Sequence, residues 1–227
     1  MRGQRSEVSG QREQHPETLV CFAAKEEAEP FEEQVESRPG VRVLLTGIGR
    51  SNAERAIRAA LGAQKPGLVL SCGFAGGLRP ELDSGTVVFA GDGERALEEA
   101  LLEAGARRGR FSCAETVATT VAQKRELWES TGADAVEMES EIICAVCREQ
   151  KIPHAVVRVI LDTASEDLPL DFDLLMTAEK QMDYGKLAVA LAKSPGKIAA
   201  LLRLQKQSKE AAEKLARVLL QITAWPL

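Results

Sequence analysis

Apolar residues in this chain fall into short continuous runs, divided by stretches where they return every three or four positions. The runs read as buried strands and the periodic stretches as helices packed on them. Residues 18–23 form the first strand, and residues 25–35 follow as a turn and amphipathic helix. A second strand over 41–46 ends in Gly47-Ile48-Gly49, and Ser51 is placed to cap a helix over 52–61. A third, 67–72, runs into Gly73-Phe74-Ala75-Gly76-Gly77, followed by a strand at 86–90 and a helix at 96–104. Phe111 opens an irregular section rich in Ser and Thr. A helix over 137–150 and a fully buried strand over 155–161 come next, and helices fill most of the remainder. Strands alternating with helices predict an α/β sandwich around a largely parallel sheet. Residues 1–17 are polar and lack the apolar segment of a signal peptide, so they read as a disordered leader. The main domain is then 18–193, with 194–227 as a C-terminal helical extension.

Composition narrows the function. A net charge of -5 over 227 residues argues against a general nucleic-acid binder. Five cysteines, an odd number in apolar settings, fit reduced thiols in a cytoplasmic protein better than a disulfide framework. Cys144 and Cys147 are spaced as C-x-x-C but lie in a helical pattern with no further ligands, so they read as small buried hydrophobes and no metal is expected. No apolar run is long enough to span a bilayer.

Two anomalies carry the chemistry. Glu137-Met138-Glu139 opens a helix with two carboxylates, and the strand Val156-Val157-Arg158-Val159-Ile160 carries one Arg and ends at Asp162. Burying such groups is costly unless they are paired or used. Arg158 therefore needs an anionic partner, Glu139 or Glu137. Two residues apart on a helix, those glutamates are expected to diverge, with only one facing a pocket. In doubly wound sheets ligands bind beyond the carboxyl ends of the strands. Glu26 and Glu27, Gly47 and Gly49, the Gly73–Gly77 run and Asp162 all fall there. Each has a plainer reading: a solvated first helical turn for the glutamates, tight turns for the glycines. His15 and His154 are expected to play no catalytic part.

Taken together, Ala23-Ala24-Lys25-Glu26-Glu27, Thr46-Gly47-Ile48-Gly49, Gly73-Phe74-Ala75-Gly76-Gly77, Ala135-Val136-Glu137-Met138-Glu139-Ser140 and Arg158-Val159-Ile160-Leu161-Asp162 resemble the nucleoside phosphorylase superfamily. They look most like its methylthioadenosine/S-adenosylhomocysteine nucleosidase and hopanoid-associated phosphorylase branches, over about residues 18–168. The resemblance implies a three-layer α/β/α sandwich with a mixed, largely parallel sheet. It further implies cleavage of the N-glycosidic bond of a purine nucleoside or 5′-substituted adenosine, an adenosyl-hopanoid among the candidates, with no cofactor. By the match, Asp162 donates a proton to the purine, Glu139 holds the ribose diol, Met138 packs on the sugar, Arg158 orients Glu137 and its neighbours, and Glu27 activates water. Phe74, Ala75 and Gly76 line the substrate, and Phe111 is a candidate to stack on the base. Phosphate or water is the co-substrate. The N–H groups around Gly47, Gly49 and Gly73 could hold phosphate without a dedicated Arg, which favours phosphorolysis.

The chain departs from the pattern at Leu161, where a Ser usually precedes the Asp; at Phe74, usually small and polar; and in the short 92–111 interval. A nucleoside-binding protein without catalysis stays open as a different class. A homo-oligomer is expected. The tail, with Ile198, Leu201, Leu202, Leu215, Val218, Leu219 and Ile222 at helical spacing among Lys and Arg, reads either as a helix docked on its own core or a partner subunit, or as a membrane-surface contact.

Overall fold

The structure, a computed structural model, describes residues 17–36, 38–177, 180 and 183–223. The leader residues 1–16, with His15, and the terminal Trp225 lie outside the described residues. Eight strands form one sheet: β1 (Thr18–Phe22), β2 (Val41–Leu45), β3 (Leu68–Gly77), β4 (Val87–Gly91), β5 (Arg107–Arg108), β6 (Phe111–Cys113), β7 (Ala135–Glu137) and β8 (His154–Asp162). The order is β2-β1-β3-β8-β4-β5, and β7 joins the far end of β3 to β6. The β1–β2, β1–β3, β3–β8, β4–β5 and β6–β7 pairs are parallel, while β4–β8 and β3–β7 are antiparallel. The sheet is mixed and largely parallel, as expected.

Seven α-helices cover it: α1 (Lys25–Val35), α2 (Arg50–Ala63), α3 (Arg95–Glu103), α4 (Val121–Thr131), α5 (Ser140–Gln150), α6 (Tyr184–Lys193) and α7 (Ile198–Thr223) among the described residues. Alternation along β1 sends its side chains to two cores. Val20 and Phe22 pack with Phe31 of α1, Leu97 and Leu101 of α3, and Leu215 and Leu219 of α7. Leu19 and Cys21 pack with Ile57 of α2 and Ile142, Val146 and Cys147 of α5. These are the two helical layers of a three-layer sandwich. The second half of α7 thus belongs to the main core. Truncating Leu219, which is fully buried, to Ala would cost roughly 2–5 kcal/mol.

Four local readings are corrected. Gly73–Gly77 is not a turn: it is the second half of β3, registered residue by residue against β8 with a bulge at Ala75/Gly76. The segment 137–150 is not one helix. Ala135–Glu137 pairs as β7, and α5 begins only at Ser140. Within the irregular section, Thr120 caps α4, accepting a hydrogen bond from the N–H of Gln123. The α2 helix starts at Arg50, behind Gly49, so Ser51 lies inside it rather than capping it.

Candidate active site

The carboxyl ends of β1, β3, β7 and β8 open onto a cavity of about 360 Å³. Under its floor lies Arg158, 1% exposed on β8. Register places Arg158 beside Gly73, and glycine is what allows it there. A Cβ at Gly73 would stand 2.5 Å from Arg158 Nη1 and 2.7 Å from Glu27 Oε1, on a backbone with φ of +143°. The guanidinium donates from Nη2 to Glu137 Oε2 (2.6 Å) and from Nη1 to the Cys72 carbonyl, with Glu139 Oε2 at 3.6 Å. Burial would lower its basicity, but Glu137, Glu139 and Glu27 more than restore it.

Because β7 ends at Glu137 and Glu139 is the N-cap of α5, the two side chains converge on Arg158 instead of diverging on a helix. Glu137 accepts the N–H groups of Glu139 (3.0 Å) and Ser140 (2.7 Å) and the Ser140 hydroxyl (2.7 Å). Burial pushes its pKa up, yet Arg158 and these donors outweigh burial and hold it low. An anion at a helix N-terminus is also favoured by the helix dipole. Among the described residues Glu139 accepts only the Gly49 N–H, at 2.8 Å. Burial pushes it up to about 7, against the pull of Arg158.

Glu27 is the third residue of α1 and curls back over the end of β1. Its Oε2 accepts the N–H groups of Ala23 and Ala24, each at 3.0 Å, and its Oε1 accepts that of Phe74 at 2.8 Å. Burial raises its pKa, with Arg158 and the three donors opposing. Asp162 closes the other side, opposite Gly76 in register. Its Oδ2 lies 2.5 Å from the ammonium of Lys124, a charge contact outside the alignment of a hydrogen bond. Burial raises the Asp162 pKa and Lys124 counteracts it.

The structure therefore brings Glu27, Phe74, Ala75, Gly76, Glu137, Met138, Glu139 and Asp162 to the cavity wall. Gly47, Gly49 and Gly73 sit behind it, and the N–H groups of Gly49 and Phe74 are already spent on carboxylates. Phe111 does not reach the cavity. As part of β6 it packs against the cluster of Ala75, Leu82, Val88, Ala135 and Ile160. Residues the sequence reading passed over complete the wall: Thr116 and Val117 before α4, then Leu168, Phe172, Met176 and Leu204, with Ser208 on α7. Lys124 was also passed over. A signal for its helix was present, Thr120 followed three positions later by Gln123 at a helix start.

A family model described as the phosphorylase superfamily matches residues 31–94 and 91–193, most of the chain. The chain belongs to the phosphorylase superfamily. Among curated relatives of this superfamily member, the 5′-methylthioadenosine/S-adenosylhomocysteine nucleosidase of Shewanella halifaxensis is 26% identical over 167 residues, covering 59% of this chain and 73% of that one. Among solved structures, the nucleosidase of the same name from Neisseria meningitidis, in complex with methylthio-immucillin-A, superposes with a TM-score of 0.68 at 19% identity, over 92% of this chain and 98% of that one. Futalosine hydrolase of Helicobacter pylori superposes at 0.65 and 17% identity, over 90% and 97%. These superpositions establish the fold of the superfamily member.

Proposed function

We propose that this phosphorylase-superfamily enzyme cleaves the N-glycosidic bond of an adenosine-type nucleoside, with water as the attacking group. The observation that carries the choice of water is the charge of the wall. Glu26, Glu27, Glu137, Glu139 and Asp162 line the cavity, and no Lys or Arg does among the described residues. A phosphate dianion would enter against several carboxylates, and two of the backbone donors expected to receive it, the N–H groups of Gly49 and Phe74, are occupied. This reverses the expectation of phosphorolysis, and the hydrolytic names of the relatives support the reversal.

In this reading Glu139 accepts the ribose hydroxyls, and Met138 packs on the sugar. Glu27, locked by three N–H donors, takes the proton of a water whose oxygen bonds to the anomeric carbon. The electrons of the breaking C–N bond pass to the purine, and Asp162 supplies the proton that neutralises it. The raised pKa of Asp162 suits a donor. Leu168, Phe172, Met176 and Leu204 form an apolar arm that suits an apolar 5′ substituent. A hopanoid-bearing adenosine is a second substrate reading that the same arm favours. All five cysteines are free, which suits a cytoplasmic enzyme.

No described helix is long and apolar enough to cross a membrane. Surface contact with an anionic membrane would fall on α6 and the first half of α7. Val189, Ile198 and Leu202 are exposed there, and residues 184–209 carry Lys186, Lys193, Lys197, Arg203, Lys206 and Lys209 with no acid.

The test is to incubate the full chain with methylthioadenosine and adenosine, with and without phosphate, and follow both base and sugar. Base release indifferent to phosphate, with free pentose as product, is expected. Phosphate-dependent release with a pentose 1-phosphate would overturn the choice of water, and absence of turnover would leave a binding protein.

A further inference from the structure

Lys124 is the one ammonium among the described residues with no exposure at all. It projects from the first turn of α4 into the space behind Asp162. Its Nζ donates to the carbonyls of Thr163 (2.7 Å) and Glu166 (2.5 Å), and stands 2.5 Å from Asp162 Oδ2. Two carbonyl acceptors and an adjacent carboxylate thus surround the charge, which is how a buried ammonium is tolerated. It does not line the cavity, so it touches no substrate.

We propose that Lys124 is a positioning residue for proton transfer to the leaving base, pinning Oδ2 of Asp162 and the turn after β8 so that Oδ1 is left for the base. The inference rests on the reading of Asp162 as the proton donor. A carboxyl group at a strand end otherwise rotates about its last torsion, and the carbonyls of Thr163 and Glu166 in the turn behind it have a separate freedom to shift. One cation tied to both removes these freedoms. The neighbouring side of Asp162 offers no replacement: β3 presents Gly76 there, whose added Cβ would meet Asp162 Oδ2 at 3.4 Å.

The charge has a second effect. Asp162 is faced by Lys124 from α4, by Glu166 from the turn, and across the cavity by Glu27, Glu137 and Glu139. Lys124 alone among these favours the ionised carboxylate. A donor must be protonated, so activity falls as pH rises through its pKa, and removing Lys124 moves that alkaline limb to higher pH.

The experiment measures kcat and KM against pH for wild type, Lys124→Gln, Lys124→Met, Asp162→Asn and the double variant Asp162→Asn/Lys124→Gln, with folding checked by circular dichroism. Lys124→Gln and Lys124→Met should lower kcat near neutral pH by about tenfold, since small misplacements of a reacting group are costly. KM should change little and the alkaline limb should move up. In the Asp162→Asn background, Lys124→Gln should add less than about a twofold loss, because the two residues act as one unit. A limb at the wild-type position, or a Lys124 loss that multiplies fully onto that of Asp162→Asn, overturns the proposal. So does failure of both Lys124 variants to fold, which would make the residue structural. Wild-type turnover in Asp162→Asn would instead sink the assignment of Asp162 itself.

Discussion

Glu139 makes the folded enzyme less stable than it could be, and the cost depends on pH. Its carboxyl is buried with Glu137 and Glu27 nearby, and its pKa is raised from 4.5 to about 7. Between those values the native state binds a proton that the unfolded chain has lost. The stability this contributes is complete below about 4.5 and gone once pH has risen through about 7. The difference between 4.5 and about 7 corresponds to on the order of 3 kcal/mol.

The Glu139→Gln side chain cannot ionise. Its amide oxygen can still accept the Gly49 N–H, and Arg158 keeps its closer partner Glu137. The variant should match wild type near pH 4.5 and exceed it at pH 8 by up to ~3 kcal/mol, about 6–12 °C in Tm for a chain of this size. Urea unfolding of the ligand-free protein at both pH values reads this directly. In activity the order reverses: turnover of ribonucleosides should collapse, while 2′,3′-dideoxy analogues, which offer no diol, lose far less. A Glu139→Gln variant less stable than wild type at pH 8, by as much as at pH 5, would refute the reasoning. Glu139 would then be a net stabilising partner of Arg158.

Gly73→Ala should destabilise the fold by about 3 kcal/mol or more and abolish turnover, because the methyl enters the space of Arg158 and Glu27 on a strained backbone; a thermal melt within about 2 °C of wild type would contradict the packing. For the membrane reading, the full chain should float with vesicles of phosphatidylserine and phosphatidylcholine at low salt. Lys193→Glu/Lys197→Glu/Leu202→Glu should stay at the bottom of the gradient; equal behaviour of the two, or a shift to dimers without flotation, assigns the face to another role.

The strands of the parallel core were legible because they are apolar runs between turn residues, and Arg158 and Asp162 stood out as charges that such a run tolerates only for a reason. The convergence of Glu137 and Glu139 was hidden. Three residues of β7 carry too little pattern to separate them from the helix that follows, and that boundary decides whether two carboxylates diverge or meet. The glycines of β3 read as a turn because glycine is the usual turn residue. For Gly73 the actual cause, the space needed by Arg158 and Glu27, lies 85 and 46 positions away in sequence. Lys124 and the wall from Leu168 to Ser208 were illegible for the same reason. Nothing local distinguishes a lysine on a solvated helix from one directed at a carboxylate, and α4 buries few of its residues.

The long helix α7 also governs the order in which a working enzyme can come into being. Its second half supplies Leu215, Val218, Leu219 and Ile222 to the layer shared with α1, and its first half supplies Leu204 and Ser208 to the cavity wall. A ribosome-bound chain that has emitted the eight described strands still lacks both. Until α7 emerges and docks, the apolar faces of α1 and β8 are open to other chains, and the carboxylates around Arg158 have an incomplete enclosure. The cavity wall is therefore completed only when α7 docks, in the same step that covers the apolar faces of α1 and β8.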